Sequence, residues 1–130
     1  SVSNSQDGVW YICNCCTCAC AVLRGMAEFG IADVIARSAF VCTIDEDACI
    51  ACGECTERCS FGALALGDDG FARVDAVRCA GCGVCAVACP QEALHLVRRP
   101  EAEILAPPQD EAEWRRVRTA YRGGVLTESR

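Results

Sequence analysis

Cys49-Ile50-Ala51-Cys52-Gly53-Glu54-Cys55-Thr56-Glu57-Arg58-Cys59 returns thirty residues later as Cys79-Ala80-Gly81-Cys82-Gly83-Val84-Cys85-Ala86-Val87-Ala88-Cys89. Both stretches are complete CxxCxxCxxxC runs, so the middle of the chain holds two copies of one supersecondary unit. Short β-prone segments precede the runs at 40–45 and 71–75, and others follow them at 63–66 and 93–97. Each copy therefore reads as strand, cysteine loop, short helix, strand. Between the second and third strands, Gly67-Asp68-Asp69-Gly70 is a turn signal that closes a hairpin joining the two halves.

Composition explains why the cysteines matter so much. The chain has 130 residues, enough for about one domain, and is 52% hydrophobic, but 14 cysteines and many alanines inflate that figure. Aromatics make up only 6%, so the ordinary apolar core is small and staples are expected, either disulfides or metals. Spacing decides for metal: CxxCxxC lets one tight loop present three thiolates to a small object, whereas a zinc ribbon needs only paired CxxC. Gly53 and Gly83 follow the second cysteine of each run and free backbone amides to approach the sulfurs.

Residues 40–99 resemble the bacterial two-cluster [4Fe-4S] ferredoxin family, including the Cys89-Pro90 ending of the second run; the first run departs from it with Cys59-Ser60. The resemblance implies an α+β fold, a pseudo-two-fold pair of β-hairpin sheets with two short helices. In that arrangement the fourth cysteine of each run ligates the other cluster. Cys49, Cys52, Cys55 and Cys89 are thus expected to hold one [4Fe-4S] cluster, and Cys79, Cys82, Cys85 and Cys59 the second.

Ahead of the repeat, Cys13, Cys15, Cys16, Cys18 and Cys20 crowd into eight residues. The stretch WYICNCCTCACAVLRG resembles an NCCxCCC-type block of larger ferredoxin-containing proteins, departing from it at Ala19. With Cys42 as a further sulfur, the block is a candidate for a third cluster or a zinc site; free thiols and disulfides are the other accounts. A helix is expected within 21–38, broken near Gly30, with an imperfect apolar stripe through Val22, Met26, Phe29, Ile31, Val34 and Ile35 that Gly25 and Gly30 weaken. Pro100, Pro107 and Pro108 mark a linker, after which Asp110 caps a terminal helix to about Arg122, stopped by Gly123-Gly124. Trp114, Val117 and Tyr121 share one face of it, expected to pack back on the domain or to dock another chain. The organisation is thus a cysteine-rich segment with helix at 1–39, a ferredoxin domain at 40–99, and a linker and helix at 100–130.

The chain opens Ser1-Val2-Ser3, which points to processing or to excision from a longer protein, and shows no secretory leader. Arg24, Glu28, Asp33 and Arg37 interrupt the most apolar stretch, so no membrane span is expected and the chain reads as soluble, while oxygen-sensitive clusters imply a reducing, cytoplasmic setting. Formal net charge is −6, and two oxidised clusters take it to roughly −10, against nucleic acid and toward basic redox partner proteins. No acid–base pair, nucleophile elbow or phosphate loop is present, so the chain reads as an electron carrier rather than an enzyme. The competing account is a reductase fragment in which the N-terminal block forms a substrate-facing metal or dithiol site. His95 is read as structural, Trp10, Tyr11, Phe61 and Phe71 as packing around the metal sites, and Asp45-Glu46-Asp47 as a solvated turn or a partner contact.

Overall fold

A computed structural model describes residues 3–32 and 34–121, with the backbone alone at Tyr121. The chain divides into two compact units, one of 15–105 and one that joins 1–14 to 106–130.

In the larger unit, α1 (Ala21–Phe29) precedes β1 (Phe40–Ile44), α2 (Glu54–Arg58), β2 (Leu64–Leu66), β3 (Ala72–Val74), α3 (Val84–Ala88) and β4 (Leu94–Arg98). β1 pairs antiparallel with β4, from Phe40 opposite Arg98 to Ile44 opposite Leu94. β2 pairs antiparallel with β3 across the Gly67–Gly70 turn, where Gly67 N–H donates to the Phe71 carbonyl at 2.8 Å. All four strands lie where the β-prone segments were expected, shifted by a residue at some ends. α2 packs on α3 and β2, α3 packs on β4, and β1 touches β3.

Inward positions obey the thirty-residue repeat. Leu64 and Leu94 point into the core from corresponding places, as do Cys42 and Ala72. Two leucines, two alanines and the thiols of Cys42, Cys55, Cys79 and Cys85 make up this core. Half of it is sulfur, and it contains no aromatic ring. So small an apolar interior needs a further source of stability, which ligation of Cys55, Cys79 and Cys85 can supply.

α1 stops at Phe29 because Gly30 turns left-handed (φ 64°) and returns its N–H to the Gly25 carbonyl. The helix is thus shorter than the 21–38 window, and of its stripe only Met26 is buried, with Val22 and Phe29 exposed. A cationic tie secures it to the rest of the unit. The Arg78 guanidinium donates to the Phe61 carbonyl at 2.9 Å and to the Ala27 carbonyl at 3.1 Å.

In the smaller unit, Gln6 and Asp7 N–H groups donate to the carbonyls of Pro108 and Gln109 at 3.0 and 2.9 Å. α4 spans Glu111–Tyr121 and is capped as expected: Asp110 Oδ1 accepts from Glu113 N–H at 2.7 Å, while the Glu113 carboxylate accepts from Gln109 N–H. Arg118 lies 4.8 Å over the half-buried Trp114 ring and Val117 is exposed. The Gly123-Gly124 stop and the Tyr121 side chain lie outside the described residues. Among the described residues no helix is long and apolar enough to cross a membrane.

Candidate metal centre

Each CxxCxxC loop is launched by an aspartate. Asp45 Oδ1 accepts from Asp47 and Ala48 N–H, and its carbonyl accepts from Cys49 N–H at 3.1 Å. Asp75 repeats the arrangement with Val77, Arg78 and Cys79, the last at 2.9 Å. The acidic run 45–47 is therefore first a turn, with Glu46 paired to Arg73 at 3.1 Å. Gly53 and Gly83 take φ of 80° and 79°, a region that any side chain would strain, and open α2 and α3. The fourth cysteine of each run closes its helix and accepts an amide hydrogen bond four residues on: Ala63 N–H to Cys59 Sγ at 3.3 Å, Ala93 N–H to Cys89 Sγ at 3.4 Å.

A largely apolar cavity is lined by Cys49, Cys52 and Cys55 together with Cys89 of the other run. Ala72, Ala93 and Leu94 form part of its wall. The lining thus joins three sulfurs from one run to the fourth from its repeat. Thiolates around a space walled by methyl groups suit an iron–sulfur cluster, whose ligands are anionic sulfur and whose potential depends on exclusion of water. Among the described residues, no three His, Cys, Asp or Glu side chains adopt the arrangement of a single-ion site.

Cys42, grouped above with the N-terminal block, instead lies in the core, with its Sγ 3.6 Å from Cys85 Sγ. The contact with Cys42 lowers Cys85 to a pKa of about 6, and the same contact, aided by burial, pushes up the Cys42 thiol, which itself reaches the Thr43 carbonyl at 3.7 Å. Burial raises the Cys55 thiol. Within the block, Cys16 and Cys18 form a disulfide. Cys20 stands at the N-cap of α1, where the Leu23 amide, then that of Val22, and the Cys15 side chain hold its thiol below the usual range.

Sequence reasoning passed over Arg99. It follows β4, its side chain is only 4% exposed, and it donates to the Cys79 carbonyl at 3.0 Å and the Ala76 carbonyl at 3.3 Å. Glu103 lies 3.5 Å from it and is largely exposed. Among the described residues its Nε is the buried side-chain polar atom without a hydrogen-bond partner, a situation that costs about 1–3 kcal/mol. Nothing in the periodicity separates it from its exposed neighbour Arg98. His95 is exposed on β4 opposite Thr43, whose hydroxyl donates to its carbonyl at 3.4 Å. Phe61 and Phe71 are half-buried, whereas Trp10 and Tyr11 are exposed, so the shielding expected of those two is not what their side chains provide.

Two family models, each described as a 4Fe-4S binding domain, match residues 42–65 and 71–94. Residues 42–94 are accordingly a two-cluster ferredoxin domain, built for two [4Fe-4S] clusters. A ferredoxin of Pyrobaculum islandicum is 37% identical over 51 residues, covering 39% of this chain and 48% of the relative. A probable ferredoxin of Methanosarcina thermophila is 43% identical over 35 residues, 27% of this chain and 60% of that one. One component of the Na(+)-translocating ferredoxin:NAD(+) oxidoreductase complex of Acetobacterium woodii is 36% identical over 55 residues, 42% of this chain but 16% of that component. The chain thus matches only part of the length of each of these relatives, and the two family models leave out its N-terminal cysteine block.

Proposed function

We propose that this chain carries single electrons as a ferredoxin-like module of a larger redox protein or complex. Cys49, Cys52, Cys55 and Cys89 hold one cluster, and Cys79, Cys82, Cys85 and Cys59 hold the other, in a pseudo-two-fold domain bounded near 40 and 99. The observation that carries this reading is the shared cavity of Cys49, Cys52, Cys55 and Cys89, since a sulfur from each run is what cross-ligation requires. When bound, the clusters supply one-electron storage at low nuclear rearrangement. The protein's own part is to fix the thiolates, wall them with Ala72, Ala93 and Leu94, and direct amide hydrogen bonds to Cys59 and Cys89. Donor and acceptor are redox proteins, with a one-electron donor of low potential on one side and its oxidised acceptor on the other. A reducing, cytoplasmic setting suits a chain so rich in cysteine whose clusters are sensitive to oxygen.

Anaerobic purification with iron and acid-labile sulfide quantification tests this. About eight irons per chain are expected, falling by about four in Cys52→Ala and, if ligation crosses the repeat, in Cys89→Ala with loss of the same cluster's signal. Unchanged iron in both variants sinks the assignment.

A second reading concerns the N-terminal block alone: a dithiol site that exchanges with substrate while the clusters feed it electrons. The Cys16–Cys18 disulfide and the acidified Cys20 thiol at the start of α1 favour it. About twelve irons, or one zinc with eight irons, would assign the block to metal instead.

A further inference from the structure

The two halves of the repeat differ at two positions near their cysteines. Cys42, 3% exposed, has its Sγ 3.6 Å from Cys85 Sγ; thirty residues on, the corresponding place is Ala72, a methyl in the wall beside Cys55. Arg99 buries its guanidinium against the Cys79 carbonyl at 3.0 Å with Nε unsatisfied; thirty residues earlier stands Asp69, an exposed carboxylate paired with Arg73. A hydrogen-bond donor and a cation thus sit on the Cys79–Cys82–Cys85 side, where the other run has a methyl and an anion.

We propose that Cys42 and Arg99 are positioning residues that make the two clusters unequal, raising the potential of the one held by Cys79, Cys82 and Cys85 so that the first electron rests there. The inference depends on the ligand assignment proposed above. Cys85 is the donor of the Sγ–Sγ contact and the Cys42 thiol reaches the Thr43 carbonyl at 3.7 Å; once Cys85 is a metal-bound thiolate it carries no proton, and the Cys42 thiol turns from that carbonyl to become the donor of the pair. Reduction adds one electron and breaks no bond, taking a cluster with its four thiolates from about −2 to −3. Donation to a ligand sulfur and a nearby buried cation both stabilise the more negative state, and both act more strongly where water is excluded. The buried guanidinium, 3.5 Å from the largely exposed Glu103 carboxylate, meets in the reduced cluster a second counter-charge. At the other cluster Ala72 offers no donor, and the charge of Asp69 is solvated and already paired.

The test is a potentiometric titration with dithionite on the full chain, followed by electron paramagnetic resonance, with iron counted on each sample. The native chain should give two separate one-electron midpoints. Cys42→Ala and Arg99→Gln should each lower the higher midpoint and leave the lower in place, by about three- to tenfold in the one-electron equilibrium, or about 30–60 mV. Cys42→Ser keeps a donor and should hold the native value, a rescue that a merely packing role would not give. Ala72→Cys should raise the lower midpoint. Coincident native midpoints, or Cys42→Ala moving the lower midpoint or neither, would overturn the inference while eight irons keep the function intact; fewer than eight irons in the native chain would overturn the function itself. Should Arg99→Gln fail to assemble, the Cys42→Ala and Cys42→Ser pair decides alone.

Discussion

Besides Gly53 and Gly83, two further corresponding positions of the repeat adopt a left-handed conformation, and the halves fill these differently. Ala51 (φ 57°) corresponds to Gly81 (φ 70°), and Glu92 (φ 51°) to Gly62 (φ 59°). A left-handed conformation costs a residue with a Cβ about 1–2 kcal/mol, so Ala51 stores strain inside the first CxxC loop. Ala51→Gly should relieve part of it, raising the temperature at which cluster absorbance is lost by a few degrees. Gly81→Ala should do the reverse and more, because its Cβ would stand 2.2 Å from the Phe40 carbonyl oxygen and 2.8 Å from Ser38 Cβ. A cluster that survives heating equally in both variants would show that the loop conformation is set by ligation rather than by these residues. The repeated cysteines were legible as a motif because thiolate spacing is rigidly tied to chemistry. The place of Cys42 was not, since it belongs to neither CxxCxxCxxxC run and only the inward face of β1 brings its sulfur to Cys85. Arg99 was hidden for a different reason: a buried arginine has the same letter as an exposed one, and only packing tells them apart.

Strands and turns were legible because short-range patterning fixes them: the Gly67–Gly70 turn lies between β2 and β3, and Asp110 caps α4. What holds α1 was not legible, because its stripe is largely unburied and the attachment is polar. Arg78 links the last turn of α1, through the Ala27 carbonyl, to the loop after the first run, through the Phe61 carbonyl. This tie connects the segment that carries Cys20 to the domain that carries the clusters. Charged hydrogen bonds of this kind contribute about 1.5–3 kcal/mol. Arg78→Met, which keeps the aliphatic stem, should therefore speed amide exchange through α1 by tenfold or more and leave β1 to β4 protected. Uniform loss of protection across both would mean that Arg78 supports the whole unit rather than the attachment of this helix.

Charge acts at the scale of the whole molecule. A formal −6 from the side chains becomes roughly −10 with two oxidised clusters, and reduction adds to it, so at long range the chain approaches a partner as a net anion. Ion pairs such as Arg73 with Glu46 and Arg115 with Glu111 neutralise acids locally on the exposed surface, but 18 carboxylates against 12 arginines leave a surplus that no rearrangement removes. Long-range attraction of this kind raises the encounter rate with a basic surface and fades as the Debye length shrinks from about 30 Å at 0.01 M salt to about 8 Å at 0.15 M. Electron transfer from the reduced chain to a basic c-type haem protein, followed by stopped flow, should therefore slow by about tenfold across that range, while transfer to an acidic haem protein should quicken. A rate to the basic acceptor that is indifferent to salt would mean that docking rests on apolar contact; a rate that rises with salt would mean that a local basic surface, not the net charge, meets the partner.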